Sequence, residues 1–233
     1  MPRLALSWGV GCLLAILSAC SNDDALIKTT AGYPPVEMQP SDLPSFAIGD
    51  SFTFDNPDET WTVSGIQDGL VIWRSSLGGS RKTVFAPFVP PIEWTAKGNA
   101  AGEERLTGWG DGLFPLKGGK KTEFRTRARM NGQADATPFE WKCYSGNPRK
   151  VTVKAGAYAA YPLFCRRNDG LTMQSFYAPE VNAPLMITQR KRPAPAETRE
   201  LVGFKLATGP RIGAAPACEQ MRTQERPSPG SQR

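Results

Sequence analysis

The sequence predicts an all-β protein, and three observations support that reading. Short runs alternate apolar with polar residues: Phe52 and Phe54 against Ser51 and Thr53, then Trp61 and Val63 against Thr60 and Thr62. Period two with aromatic and β-branched residues marks a half-buried strand. Tight-turn signals separate such runs, as at Asp68-Gly69 and Asn168-Asp169-Gly170. Finally, no stretch holds apolar residues at helical spacing for a convincing length. Short strands between frequent turns predict an antiparallel meander forming a curved sheet, either an open clam or a barrel-like domain.

The elements follow in chain order. Arg3 precedes an apolar run from Leu4 to Leu17, and small residues lead into Cys20. That is the layout of a secretory signal peptide over 1–19, since the run falls short of the ~20 apolar residues that a spanning helix needs. Residues 20–45 lack sustained periodicity and are rich in proline and small polar residues. They are expected to form a tether whose ends lie ~25–30 Å apart as a flexible coil. A single β domain is expected over 46–207. Its strands begin with the Phe52–Phe54 pair and the Trp61–Ile66 run, which Asp68-Gly69 joins to Leu70–Trp73. Further runs lie at Lys82–Phe85, Thr122–Met130, Pro138–Tyr144, Lys150–Lys154, Tyr158–Arg167, Leu171–Tyr177, Leu185–Arg190 and Leu201–Leu206. Residues 86–121 are irregular and dense in glycine and proline, which reads as a long functional loop or a set of short edge elements. The end of the chain, 208–233, has little to bury and is expected to be a disordered tail.

Leu17-Ser18-Ala19-Cys20 resembles a bacterial lipobox. The resemblance implies that Cys20 becomes the acylated first residue of the mature protein, anchored in a membrane by several chains, where one alone binds only marginally. Ser21, in place of an aspartate, implies the outer membrane by the enterobacterial sorting pattern, so the expected location is the cell envelope facing the periplasm. A second resemblance covers about 151–206. The run Val151-Thr152-Val153-Lys154-Ala155-Gly156-Ala157-Tyr158 leads through a strand to Asn168-Asp169-Gly170 and Phe176-Tyr177-Ala178-Pro179. It is similar to a segment of many uncharacterised bacterial exported proteins, although Lys154 stands where that pattern commonly has proline. This likeness implies a curved β-sheet in the envelope and no catalytic residues.

Composition excludes more chemistry than it suggests. The chain has no histidine. Histidine general bases, Ser-His-Asp and Cys-His nucleophiles and histidine metal sites are all ruled out. Gly-Gly pairs at 78–79 and 118–119 lack the strand–loop–helix context of a phosphate loop. No cofactor or metal is expected. An enzyme would have to act with carboxylates alone, for example as a hydrolase of wall polymers. The formal net charge of +6 is spread along the chain, suiting anionic headgroups or an acidic polymer as well as plain solubility. Nucleic acid is not an expected partner, given the export address.

Five cysteines divide by position. Cys12 leaves with the signal, Cys20 is the lipid site, and Cys143, Cys165 and Cys218 remain in an oxidising compartment. If Lys154–Ala157 turns a hairpin, the position mirrored against Cys165 falls near Asn147, in the turn just after Cys143, and both cysteines lie on apolar strand faces. A Cys143–Cys165 disulfide is therefore expected, contributing ~3 kcal/mol in the chain-entropy model. Arg125, Arg127 and Arg129 alternate with less polar residues, placing three guanidiniums on one strand face. That face is either an anion-binding or partner surface or a solvated exterior. Phe88, Trp94 and Trp109 in the irregular region are either a ligand lip or core. The function expected is a membrane-anchored binding or scaffolding module with an envelope protein partner. The alternative is a carrier of lipid or another hydrophobic ligand in the concavity of the sheet.

Overall fold

Alternation along these runs becomes the wall of a barrel. The structure, a computed structural model, describes residues 30, 32–98, 100–107 and 112–213. Its strands are β1 Ser45–Phe46, β2 Ser51–Phe54, β3 Glu59–Gln67, β4 Leu70–Ser75, β5 Ser80–Thr83, β6 Glu93–Thr95, β7 Ala101–Thr107 and β8 Lys121–Met130. There follow β9 Thr137–Ser145, β10 Arg149–Val153, β11 Gly156–Arg167, β12 Leu171–Ala178, β13 Ala183–Lys191, β14 Glu197–Lys205 and β15 Ile212–Gly213. Strands β2 to β9 pair consecutively, as do β11 to β14. Two longer-range pairings, β14 with β2 and β9 with β11, close the sheet. Among the described residues, twelve antiparallel strands thus form a ring, and the choice between open clam and barrel falls to the barrel.

The turns obey their chemistry. Asp68 and Gly69 both have positive φ (52° and 72°), the conformation that lets a two-residue turn follow the strand twist. At the β9–β11 seam, β11 is twelve residues long and serves two neighbours. Its first half pairs with β10 and its second with β9, and the break between them falls at Gly146-Asn147-Pro148. There the Gly146 N–H donates to the Pro162 carbonyl (2.8 Å). Cys143 lies directly across from Cys165, and the two form a disulfide. The β10–β11 hairpin folds back over β13 and β14, held by Ala155 N–H to Leu201 O (3.1 Å) and Lys154 to Asp55 (2.8 Å).

The barrel interior is solid at one end. Because β5, β7 and β12 run the same way round the ring, the connections that follow them emerge at that end. Residues 84–92 and 112–116 turn inward there as a plug. Phe85, Phe88, Leu113 and Leu116 are fully buried, Phe88 lies parallel to Phe114 (6.2 Å), and Phe114 meets Tyr177 edge-on (6.4 Å). The irregular 86–121 region therefore combines this plug with two strands, β6 and β7, whose apolar alternation is too weak to read from sequence. Lys82–Phe85 is likewise divided: the strand ends at Thr83, and Phe85 belongs to the plug.

Both expected margins are shorter than the sequence implies. The tether of 20–45 gives way to packed chain by Tyr33, which meets Phe176 (4.7 Å). Tyr161 donates its hydroxyl hydrogen to Gln39 O (2.9 Å), and Ser41 bridges to Leu116. The physical reason is that Tyr33, Met38 and Leu43 bury apolar surface against both core clusters. At the other margin the first residues of the expected 208–233 tail form an ordered clasp. β15 pairs with β1, and Arg211 reaches Asp50 (2.8 Å), whose side chain is fully buried and also accepts from Ala47 N–H (3.0 Å) and Ala207 N–H (2.8 Å). Cys20 with its lipobox, Trp109 and Cys218 lie outside the described residues.

Candidate functional site

Below the plug the barrel is not filled. A cavity of about 260 Å³ lies there, close to the lower end of the range for small-molecule pockets. The plug residues Phe85, Pro87, Val89 and Pro90 form its roof. Its walls are inward-facing strand residues, among them Phe52, Phe54, Trp61, Trp73 and Trp141. The register explains their convergence: Val63, Trp73, Arg81 and Trp94 lie across from one another on β3 to β6, so all four share the inner face. The intervening positions face outward, where Lys82 pairs with Glu93 (2.7 Å).

Three guanidiniums join this aromatic lining, from Arg81, Arg167 and Arg199. They stand on the strand ends remote from the plug: Arg81 near the start of β5, Arg199 near the start of β14, Arg167 at the end of β11. Two have carboxylate partners. Arg199 bonds Glu59 (2.8 Å), which also accepts from Ser75 (2.5 Å). Burial pushes the Glu59 carboxyl up, but those hydrogen bonds prevail and hold it below its ordinary value. Arg167 grips Asp169 through Nε and Nη2 (2.8 and 2.9 Å), and that bond, reinforced by Lys191, drives the Asp169 carboxyl far below the usual carboxylate range. Arg167 also lies over the Phe139 ring at 3.9 Å.

Arg81 differs. Its guanidinium carbon sits 4.2 Å from the Trp61 ring centre and 5.3 Å from that of Trp73. Its Nε is buried without a hydrogen-bond partner. Burial pushes its pKa down to about 10, so it stays cationic at neutral pH. A second hollow, of about 500 Å³, adjoins at Pro91 and Arg167 and is lined by Trp94, Met130 and Phe139. Glu104 stands in its wall, buried, with Oε1 unpartnered.

Of the residues singled out from sequence, Trp94 lines the second hollow, while the three arginines of β8 lie elsewhere. Arg125, Arg127 and Arg129 face outward on β8, as alternation implies. Arg125 pairs with Glu140 (3.3 Å) and Arg129 with Glu103 (2.8 Å), while Arg127 sits across from Arg105 and Pro138. Of the aromatics, Phe88 is fully buried in the plug and so is core, not lip. Trp94 packs its ring over Gly102, where any side chain would overlap it. Sequence reasoning missed Arg81, Arg167 and Arg199. Among the described residues no group of three or more cysteine and carboxylate side chains could hold a metal ion.

No protein-family model and no curated protein sequence matches this chain. Two solved structures are similar in fold. One is a proposed exported protein with a YmcC-like fold from Bacteroides fragilis, at 10% identity and a TM-score of 0.40, covering 71% of this chain and 99% of that one. The other is the hypothetical lipoprotein YmcC from Escherichia coli, at 8% identity and a TM-score of 0.44, covering 78% of this chain and 96% of that one.

Proposed function

We propose that this protein is a lipid-anchored binding module of the cell envelope that holds a hydrophobic ligand inside its barrel and performs no catalysis. The observation behind this reading is the aromatic-lined cavity of about 260 Å³ beneath the plug. A barrel whose interior were packed throughout would leave only its outer wall for binding. The anchoring part of the reading rests on the signal-like run and the lipobox ending in Cys20. The absence of histidine favours binding over catalysis.

Trp61, Trp73 and Trp141 line the cavity, so intrinsic fluorescence reports occupancy. Titration with 1-decanol should give a saturable change at one equivalent, and native mass spectrometry of protein taken from envelopes should show a co-purified small molecule. No saturable change with decanol or with a second apolar probe, N-phenyl-1-naphthylamine, would leave the interior as packing only. Fractionation of Cys20→Ala tests the anchor separately: the variant should leave the membrane pellet.

A further inference from the structure

The charge arrangement around the cavity specifies what kind of molecule fits it. Three guanidiniums meet the cavity, and two have a carboxylate in hydrogen-bond contact: Glu59 bonds Arg199 and Asp169 bonds Arg167, while Glu59 acts on Arg81 through its charge without bonding it. Arg81 makes no hydrogen bond or ion pair with any described residue. Its contacts are the two indole rings, and its Nε is sealed from solvent without a partner. Arg81 as a whole is half-buried, but its sealed Nε–H is costly, because neither water nor protein returns that hydrogen bond. The β5 register fixes it in place: Arg81 lies across from Trp73 on one side and Trp94 on the other. Lys82, one residue on, reaches the outside and finds Glu93.

Resting on the binding reading above, we infer that Arg81 receives the charged head of an amphipathic anion, whose apolar body extends toward the plug. A guanidinium is a planar fork that takes a carboxylate or phosphate through two parallel hydrogen bonds. Stacking on Trp61 and Trp73 holds the fork in orientation before the ligand arrives. The polarity of the cavity matches such a ligand. Its arginines stand on the strand ends remote from the plug, while Phe85, Pro87 and Val89 close the other end. The volume of about 260 Å³ suits one short chain with a small head.

The probes are decanoate and decyl phosphate, which differ in head but share the charge, against uncharged 1-decanol, all at pH 8. Wild-type protein should bind either anion at least about tenfold more tightly than the alcohol, the factor expected of one charge-assisted hydrogen-bonded contact. In Arg81→Met the preference for either anion over decanol should disappear, the two classes of probe binding with equal affinity. Thermal stability should not drop, because the substitution removes a sealed N–H that has no partner. Arg81→Lys, which keeps charge but loses the fork, should retain part of the preference and serves if the methionine variant does not fold. Preference for decanoate over decyl phosphate would identify a carboxylate ligand, and the reverse a phosphate. Equal binding of anion and alcohol by wild type, or an undiminished preference in Arg81→Met, would overturn the inference while leaving the binding reading intact. Failure of all three probes would instead remove the binding reading itself.

Discussion

Glu104 shows what one buried carboxyl does to this barrel. Burial pushes its pKa above the ordinary value, opposed only in part by Thr126, Arg167 and Trp141, and its Oε1 has no hydrogen bond. A carboxyl raised in the folded state stabilises the fold below its unfolded value near 4.5, and that stability is lost as pH rises through the folded value. Glu104→Gln should therefore melt a few degrees higher than wild type at pH 8, since ~1 kcal/mol is worth about 2–4 °C in a domain of this size. At pH 4 the two should coincide. A lower melting temperature for the variant at pH 8 would show that the carboxylate has a partner. The binding residues also teach something at this scale. Arg81 was not legible in the sequence because Ser80–Thr83 is four residues long and mixes no apolar residue into its period. Nothing local tells which of Arg81 and Lys82 points inward; only pairing with Trp73 decides it.

At the scale of elements, most strands were legible, but β6 and β7 were not. Strands with aromatic or β-branched residues at alternate positions, such as β2, β3, β8 and β12, can be read directly. β6 and β7 escape notice because their inward positions are Trp94, Gly102 and Glu104, where a glycine accommodates an indole and a carboxyl takes a core position. The disulfide was legible by hairpin arithmetic, although that arithmetic lands near Asn147 and the register beyond the turn at 146–148 places Cys143 opposite Cys165. It joins the two strands that seal the ring. The double variant Cys143→Ser, Cys165→Ser should lose ~3 kcal/mol on the loop-entropy account, or about 6–12 °C in thermal unfolding followed by circular dichroism. An unchanged melting temperature would mean that the β9–β11 hydrogen bonds alone hold the seam.

For the molecule as a whole, acid should be the weak side. Asp55, Glu59 and Asp169 all have lowered values: Asp55 through the Glu200 N–H and Lys154, Glu59 through Ser75 and Arg199 against its burial, Asp169 through Arg167. Lowered carboxyls stabilise the fold above their unfolded values of about 4, and that contribution disappears as pH falls through the folded ones. Glu104 has the opposite sign but is one group against three. Stability should hold from pH 5 upward and fall steeply below about pH 4, as equilibrium urea unfolding across that range would show. A midpoint that stayed flat to pH 2.5 would mean these ion pairs contribute little.

The β2–β14 pairing also dictates a sequence of events in time. Phe54 meets Leu201 and Phe52 meets Phe204 across it, so β2 must wait for a strand that begins only at Glu197. Local hairpins from β3 to β9 can form as the chain lengthens, but the circle has no way to shut until β14 is present. A chain cut after residue 196 should keep far-ultraviolet strand signal, expose Phe52 and Phe54 to dye, and lose the near-ultraviolet signal of packed tryptophans. Its own topology thus keeps such a protein pliable and open until β14 has been made.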